Sequence, residues 1–121
     1  MICIISVIEK GDILGEKIKD ILGGDLILKS KIKNFKLDSI TKKCFEKYNS
    51  IIFISSTGIA VRAVSKYLVS KDKDPAVVVV DVCNKFSISL VSGHLGGANN
   101  LTLRVSEILG NIPVITTATD N

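Results

Sequence analysis

With 121 residues, 46% hydrophobic and 5% aromatic, the chain holds material for a single domain over residues 1–121 with a single core. Its 16 Lys and Arg against 12 Asp and Glu leave a net charge of +4, carried by Lys far more than by Arg62 and Arg104. No stretch approaches the roughly 20 apolar residues of a membrane helix, and no basic segment precedes the apolar start at residues 1–5 as in a signal peptide, so a cytoplasmic location is expected.

Residues 2–8 form an apolar run of the kind found in buried parallel strands. Gly11 and Asp12 then open a helix with Leu14, Ile18, Ile21 and Leu22 at inward spacing, stopped by Gly23 and Gly24. Residues 26–28 read as a short strand. The run Lys29, Lys31, Lys33 and Lys36 that follows is either an anion-attracting surface or the lysine protection of an edge strand. No aromatics interleave with it, so nucleic acid is not an expected partner and edge protection is favoured.

Residues 37–48 read as a second helix with Leu37, Ile40, Cys44 and Tyr48 inward, and residues 51–54 as a third strand. A third helix is expected from Ile59 to Val69, apolar on Ala60, Val64, Tyr67 and Leu68. Residues 76–80 and 86–91 are strand-like, and the gap around Cys83, Asn84 and Lys85 is too short for a crossover helix. The pair is therefore an antiparallel hairpin. A fourth helix from Ala98 to Leu109 and a strand at residues 112–115 complete the pattern.

The alternation predicts an α/β fold of three layers. Its sheet is mostly parallel, open, of about six strands with one antiparallel hairpin, Rossmann- or flavodoxin-like. The chain stops in a polar loop where a further helix is expected, so it reads as a piece of a longer protein. Cys3, Cys44 and Cys83 are far apart and show no C-x-x-C, which argues against a disulfide framework and a zinc site. Cys3 and Cys44 are expected in the core and Cys83 in a turn. One His and three Cys cannot build a protein-only transition-metal cage, so no metal ligands and no resident cofactor are assigned.

Ligands of open α/β sheets bind outside the carboxyl ends of the strands, and three polar segments are expected there. Ser55, Ser56, Thr57 and Gly58 link a buried strand to a helix whose N-terminus favours a carboxylate or phosphate, and Arg62 stands about one turn in. Equally, Ser56 or Thr57 serves as a helix cap, with Arg62 at the surface. In the second segment Gly93, Gly96 and Gly97 permit left-handed backbone and close approach of a ligand, beside Ser92 and Asn99. Neither G-x-G-x-x-G nor the G-K-[ST] ending of a P-loop is met, which disfavours a nucleotide or flavin binder. His94, the one histidine, falls in this turn and is a candidate base or a structural residue. The third segment holds Thr116, Thr117 and Asp120, the one carboxylate of the three segments, which serves as a second candidate base or as a cap.

In this order the stretches FISSTGIAVRA (53–63), DPAVVVVD (74–81), SLVSGHLGGAN (89–99) and PVITTATD (113–120) resemble the N-terminal region of the CbiG family of anaerobic cobalamin biosynthesis. Residues 1–50 are similar only in pattern. The resemblance implies a cobalt-precorrin-5A hydrolase that opens a ring lactone, releases acetaldehyde and gives cobalt-precorrin-5B, with cobalt carried by the substrate. Members of this family continue into further domains, which become expected partners, and the turn at Val82, Cys83 and Asn84 lacks the acidic, glycine-containing character expected of relatives. Lactone opening needs activated water, a base and oxyanion donors. His94 fits the base, and the N–H groups near Gly96 and Gly97 fit the donors. The alternative is a non-catalytic tetrapyrrole-binding module of a multidomain protein.

Overall fold

In the computed structural model residues 1–117 are described, and they form one six-stranded sheet between two pairs of helices. In chain order the elements are β1 (Ile2–Ser6), α1 (Asp12–Leu22), β2 (Asp25–Leu28), α2 (Leu37–Lys47), β3 (Ser50–Ile54), α3 (Thr57–Val64), β4 (Ala76–Val80), β5 (Phe86–Val91), α4 (Ala98–Leu109) and β6 (Ile112–Val114). The strand order is β2-β1-β3-β4-β5-β6. The three-layer α/β fold and the antiparallel β4–β5 hairpin are as the sequence predicts.

Alternation along the inner strands builds two cores. Cys3, Ile5, Ile51, Phe53, Val77 and Val79 face α2 and α3, which supply Cys44, Ala60 and Val64. Ile4, Ile52, Ile54, Val78 and Val80 face α1 and α4, which supply Leu14, Ile18, Leu101 and Val105. Strands β1, β3 and β4 are therefore apolar on successive residues, the mark of strands covered on both faces.

Some boundaries differ from expectation. The first strand stops at Ser6, and α3 ends at Val64 with a 3-10 turn to Tyr67, so Leu68 and Val69 are exposed rather than helical and packed. The carboxylate of Asp74 accepts from the Val69 N–H at 2.9 Å, an alternative partner that draws the chain out of the helix. Ile21 keeps helical spacing yet is 63% exposed, because it lies in the last turn of α1 beside an open cavity shared with Arg104, Glu107 and Ile108 of α4. The lysine run lies in the 3-10 turn and loop that follow edge strand β2, not in the strand. Gly23 and Gly24 end α1 at φ of 74° and 89°. A β-carbon on Gly24 would stand 2.3 Å from the carbonyl oxygen of Ile2, so glycine is required there by space and by backbone alike.

The hairpin sets the direction of everything after it. Strands β1 to β4 run parallel, β5 runs against β4, and β6 is parallel to β5. The carboxyl ends of β5 and β6 therefore lie at the opposite end of the sheet from those of β1 to β4. Strands β1 and β3 are neighbours whose connections leave in opposite directions, to β2 and to β4, which makes the gap between them the topological switch point.

Candidate functional site

The polar segments thus fall into two groups, one at each end of the sheet. Ser55, Ser56, Thr57, Gly58 and Arg62 belong to the end where β1 to β4 finish. Ser92, Gly93, His94, Gly96, Gly97, Asn99, Thr116 and Thr117 belong to the other, where β4 begins. The expectation of a single shared edge is corrected here. Each segment does follow the carboxyl end of its own strand, but the hairpin reverses two of the strands. Asp120 lies outside the described residues.

At the first end, Ser55 is buried; its N–H donates to the Val80 carbonyl at 3.1 Å and its hydroxyl to the Ser56 carbonyl at 2.8 Å. Ser56 is the N-cap of α3, its Oγ accepting from the Ile59 N–H at 3.3 Å. Replacing Ser56 by alanine is expected to cost about 1 kcal/mol, read as a lower urea midpoint at unchanged m-value. The Arg62 guanidinium folds back over the first turn of α3, where a β-carbon on Gly58 would meet Nη1 at 3.2 Å. A cavity of about 320 Å³ separates Ser55, Ser56 and Thr57 from Val79, Asp81, Phe86 and Ile88.

The same end holds a group that sequence reasoning missed. Asp12, buried at the start of α1, accepts from the Ser6 hydroxyl at 2.7 Å and the Ser30 hydroxyl at 2.5 Å. A cavity of about 480 Å³ lined by Val7, Ile8, Glu9, Lys29 and Ser30 opens beside it. An Asp in a first helical turn reads as ordinary helix chemistry, and Ser6 sits in an apolar run, so no local signal joined them.

At the second end the glycine-rich segment closes on itself. Ser92 has φ of 60°, a left-handed conformation uncommon for a residue with a β-carbon, and Gly97 follows at 87° as the N-cap of α4. The Ser92 carbonyl accepts from the Ala98 N–H at 3.1 Å and the Gly93 carbonyl from the Asn99 N–H at 2.9 Å. The Ser92 hydroxyl donates to the Asp74 carbonyl at 3.3 Å, which ties the loop to the segment leading into β4. A β-carbon on Gly96 would lie 2.4 Å from Cβ of Ser92 and 2.8 Å from its carbonyl oxygen, so the turn closes only around glycine.

Asn99 holds this loop from beneath. It is buried; its side-chain oxygen accepts from the Ser89 hydroxyl at 2.7 Å, and its amide donates to Thr117 Oγ1 at 2.7 Å. One side chain so joins β5, α4 and the segment after β6. Thr117 is half-buried in this network, whereas Thr116, His94 and Leu95 are exposed. His94 stands at the tip of a loop whose base is fixed by left-handed backbone and a buried amide. Among the described residues the N–H groups of Gly96 and Gly97 donate no backbone hydrogen bond, unlike those of Ala98 and Asn99. The arrangement can present an imidazole and main-chain donors to a carbonyl centre.

Among the described residues no three His, Cys, Asp or Glu side chains gather in a metal-ligating group, and no helix is long and apolar enough to cross a membrane.

Comparison with known proteins bears on both ends. The family model described as cobalamin synthesis G N-terminal matches residues 39–120, a span that holds both groups of segments. A cobalt-precorrin-5A hydrolase of Salmonella typhimurium is 52% identical over 79 residues, 65% of this chain and 22% of that protein. One of Priestia megaterium is 50% identical over 76 residues, 63% of this chain and 20% of that protein. The crystal structure of a cobalamin biosynthesis protein G homologue from Sulfolobus solfataricus superposes with a TM-score of 0.75 at 32% identity, covering 95% of this chain and 36% of that one. The chain thus spans between a fifth and about a third of the length of these relatives.

Proposed function

The chain belongs to the cobalamin synthesis G N-terminal family, and from that premise we propose that it acts as the N-terminal domain of a cobalt-precorrin-5A hydrolase. The observation that carries this reading is the pre-formed loop of residues 92–99, inside the matched span and closed around Gly96 and Asn99 with His94 at its tip. In this reading a water molecule positioned by His94 loses its proton to the imidazole and adds to the lactone carbonyl. Main-chain N–H groups near Gly96 and Gly97 hold the developing oxyanion, and the imidazolium returns its proton to the departing ring oxygen as the C–O bond breaks, leaving a carboxyl group and a hydroxyl. Loss of the two-carbon fragment as acetaldehyde follows. Cobalt enters as part of the substrate. The Ser55–Arg62 end, about one strand length away, lies too far to touch the same carbonyl and is left to peripheral carboxylates of the substrate or to another part of the protein.

Length favours a second reading. In that reading this part, which corresponds to a fifth to about a third of each relative's length, is a non-catalytic tetrapyrrole-binding module of a multidomain protein. Anaerobic incubation of the chain with cobalt-precorrin-5A, with trapping of acetaldehyde and spectroscopic titration of the substrate, separates the two. Aldehyde release supports the hydrolase reading. Saturable binding without release supports the module. Neither binding nor release, by this chain or by a full-length hydrolase carrying it, overturns both.

A further inference from the structure

The two cysteines that the sequence places 41 positions apart meet in the structure. Cys3 on β1 and Cys44 on α2 bring their Sγ atoms to 3.3 Å in a thiol–thiol hydrogen bond, at 0% and 1% exposure. No C-x-x-C spacing announces the pair; strand and helix pack so that both side chains enter one core. Around it Tyr48 donates a hydrogen bond to the carboxylate of Asp25, whose backbone is in register with Cys3. The third thiol, Cys83, is exposed in the β4–β5 turn, with Lys10 Nζ 3.6 Å from its sulfur.

We propose that Cys3 and Cys44 are a dithiol modification site, converted by a low-molecular-weight disulfide of the glutathione class into an internal bridge between β1 and α2. Bonding distance requires the sulfurs to approach by little more than 1 Å from where they stand, by the roughly 2.05 Å length of a disulfide. Strand β1 is held on both sides by β2 and β3, so α2 is the element that moves. This helix has two buried residues, Thr41 and Cys44, and no side-chain cap at its N-terminus, which makes it the easier of the two to open and admit a reagent.

The chemistry balances in two exchanges. The Cys44 thiolate attacks one sulfur of the reagent, expelling one thiolate and forming a mixed disulfide. The Cys3 sulfur, losing its proton to solvent as α2 opens, then attacks Sγ of Cys44 and expels the second. The protein gives up two electrons and two protons; the reagent is reduced to two thiols. The order follows from position: Cys44 rides on α2, the element that opens, and meets the reagent first, while Cys3 stays in the sheet between β2 and β3.

The test uses the Cys83→Ser chain, which removes the exposed thiol, treated natively with oxidised glutathione. Both remaining thiols should become resistant to alkylation together, the intact mass should fall by two hydrogens with no glutathione retained, and Tm should rise by on the order of 10 °C, reversibly with dithiothreitol. Cys3→Ala and Cys44→Ala in the same background should retain Tm on oxidant treatment and show no mass loss. The proposal is overturned if the treated chain, denatured afterwards, still alkylates at both cysteines, or if one cysteine carries a stable glutathione adduct while the other stays free.

Discussion

Replacing Asn99 by leucine is expected to destabilise the domain by about 3 kcal/mol, lowering Tm by on the order of 10 °C. Leucine keeps the branching of the side chain but is bulkier and offers neither acceptor nor donor. The Ser89 hydroxyl loses the oxygen it donates to at 2.7 Å, and Thr117 Oγ1 loses the amide that donates to it at 2.7 Å. Each lost bond is worth about 1 kcal/mol net, and leaving the half-buried Ser89 and Thr117 hydroxyls unpaired adds a further cost of about 1 kcal/mol. Asparagine to aspartate tests the same network from the other side. Both hydroxyls can donate to a carboxylate, and the charge would lie in the first turn of α4, where the helix dipole favours it. Asn99→Asp should therefore keep most of the stability that Asn99→Leu loses. Equal Tm values for the wild-type and leucine chains would show that the amide does not hold the loop.

That amide also marks where sequence reading stops. In the sequence Asn99 stands only as the neighbour of a glycine-rich turn that a ligand can approach, and its partners Ser89 and Thr117 lie ten residues upstream and eighteen downstream. Only the parallel pairing of β5 with β6 brings those three together. The elements themselves were legible, since helical and strand periodicities are local, and the hairpin followed from a gap too short for a helix. The direction it imposes on β5 and β6 was implied by the same gap, yet its consequence for the polar segments depends on β6 pairing parallel to β5. Each polar segment is thus legible by itself, while their division between two ends of the sheet is set by strand pairing. Cys3 with Cys44, and Ser6 and Ser30 with Asp12, escaped for the same reason. Each pair is contributed by different elements, and nothing in the local pattern of either element encodes its neighbour.

The separation of the two ends carries the second large effect. In a full-length hydrolase bearing this domain, His94→Ala is expected to lower kcat by about 10²–10⁴-fold if the imidazole is the general base. Arg62→Ala, at the far end of the sheet, should act mainly on KM, by about tenfold or less, as loss of a contact made equally in ground and transition states. The five residues of β3 between the two ends span about 17 Å at roughly 3.3 Å per residue. At that distance, with no shared partner among the described residues, the two substitutions should multiply in kcat/KM, and their coupling should stay within about 0.5 kcal/mol. A larger coupling would mean that one substrate-bound state organises both ends together, and the separate assignment of Arg62 would fall. A kcat unchanged in His94→Ala would take the base away from the loop altogether. Asn99→Asp supplies the needed control, because it perturbs the base of the loop while leaving the imidazole in place. A loop that acts through His94 should lose far more activity with the imidazole than with the amide beneath it.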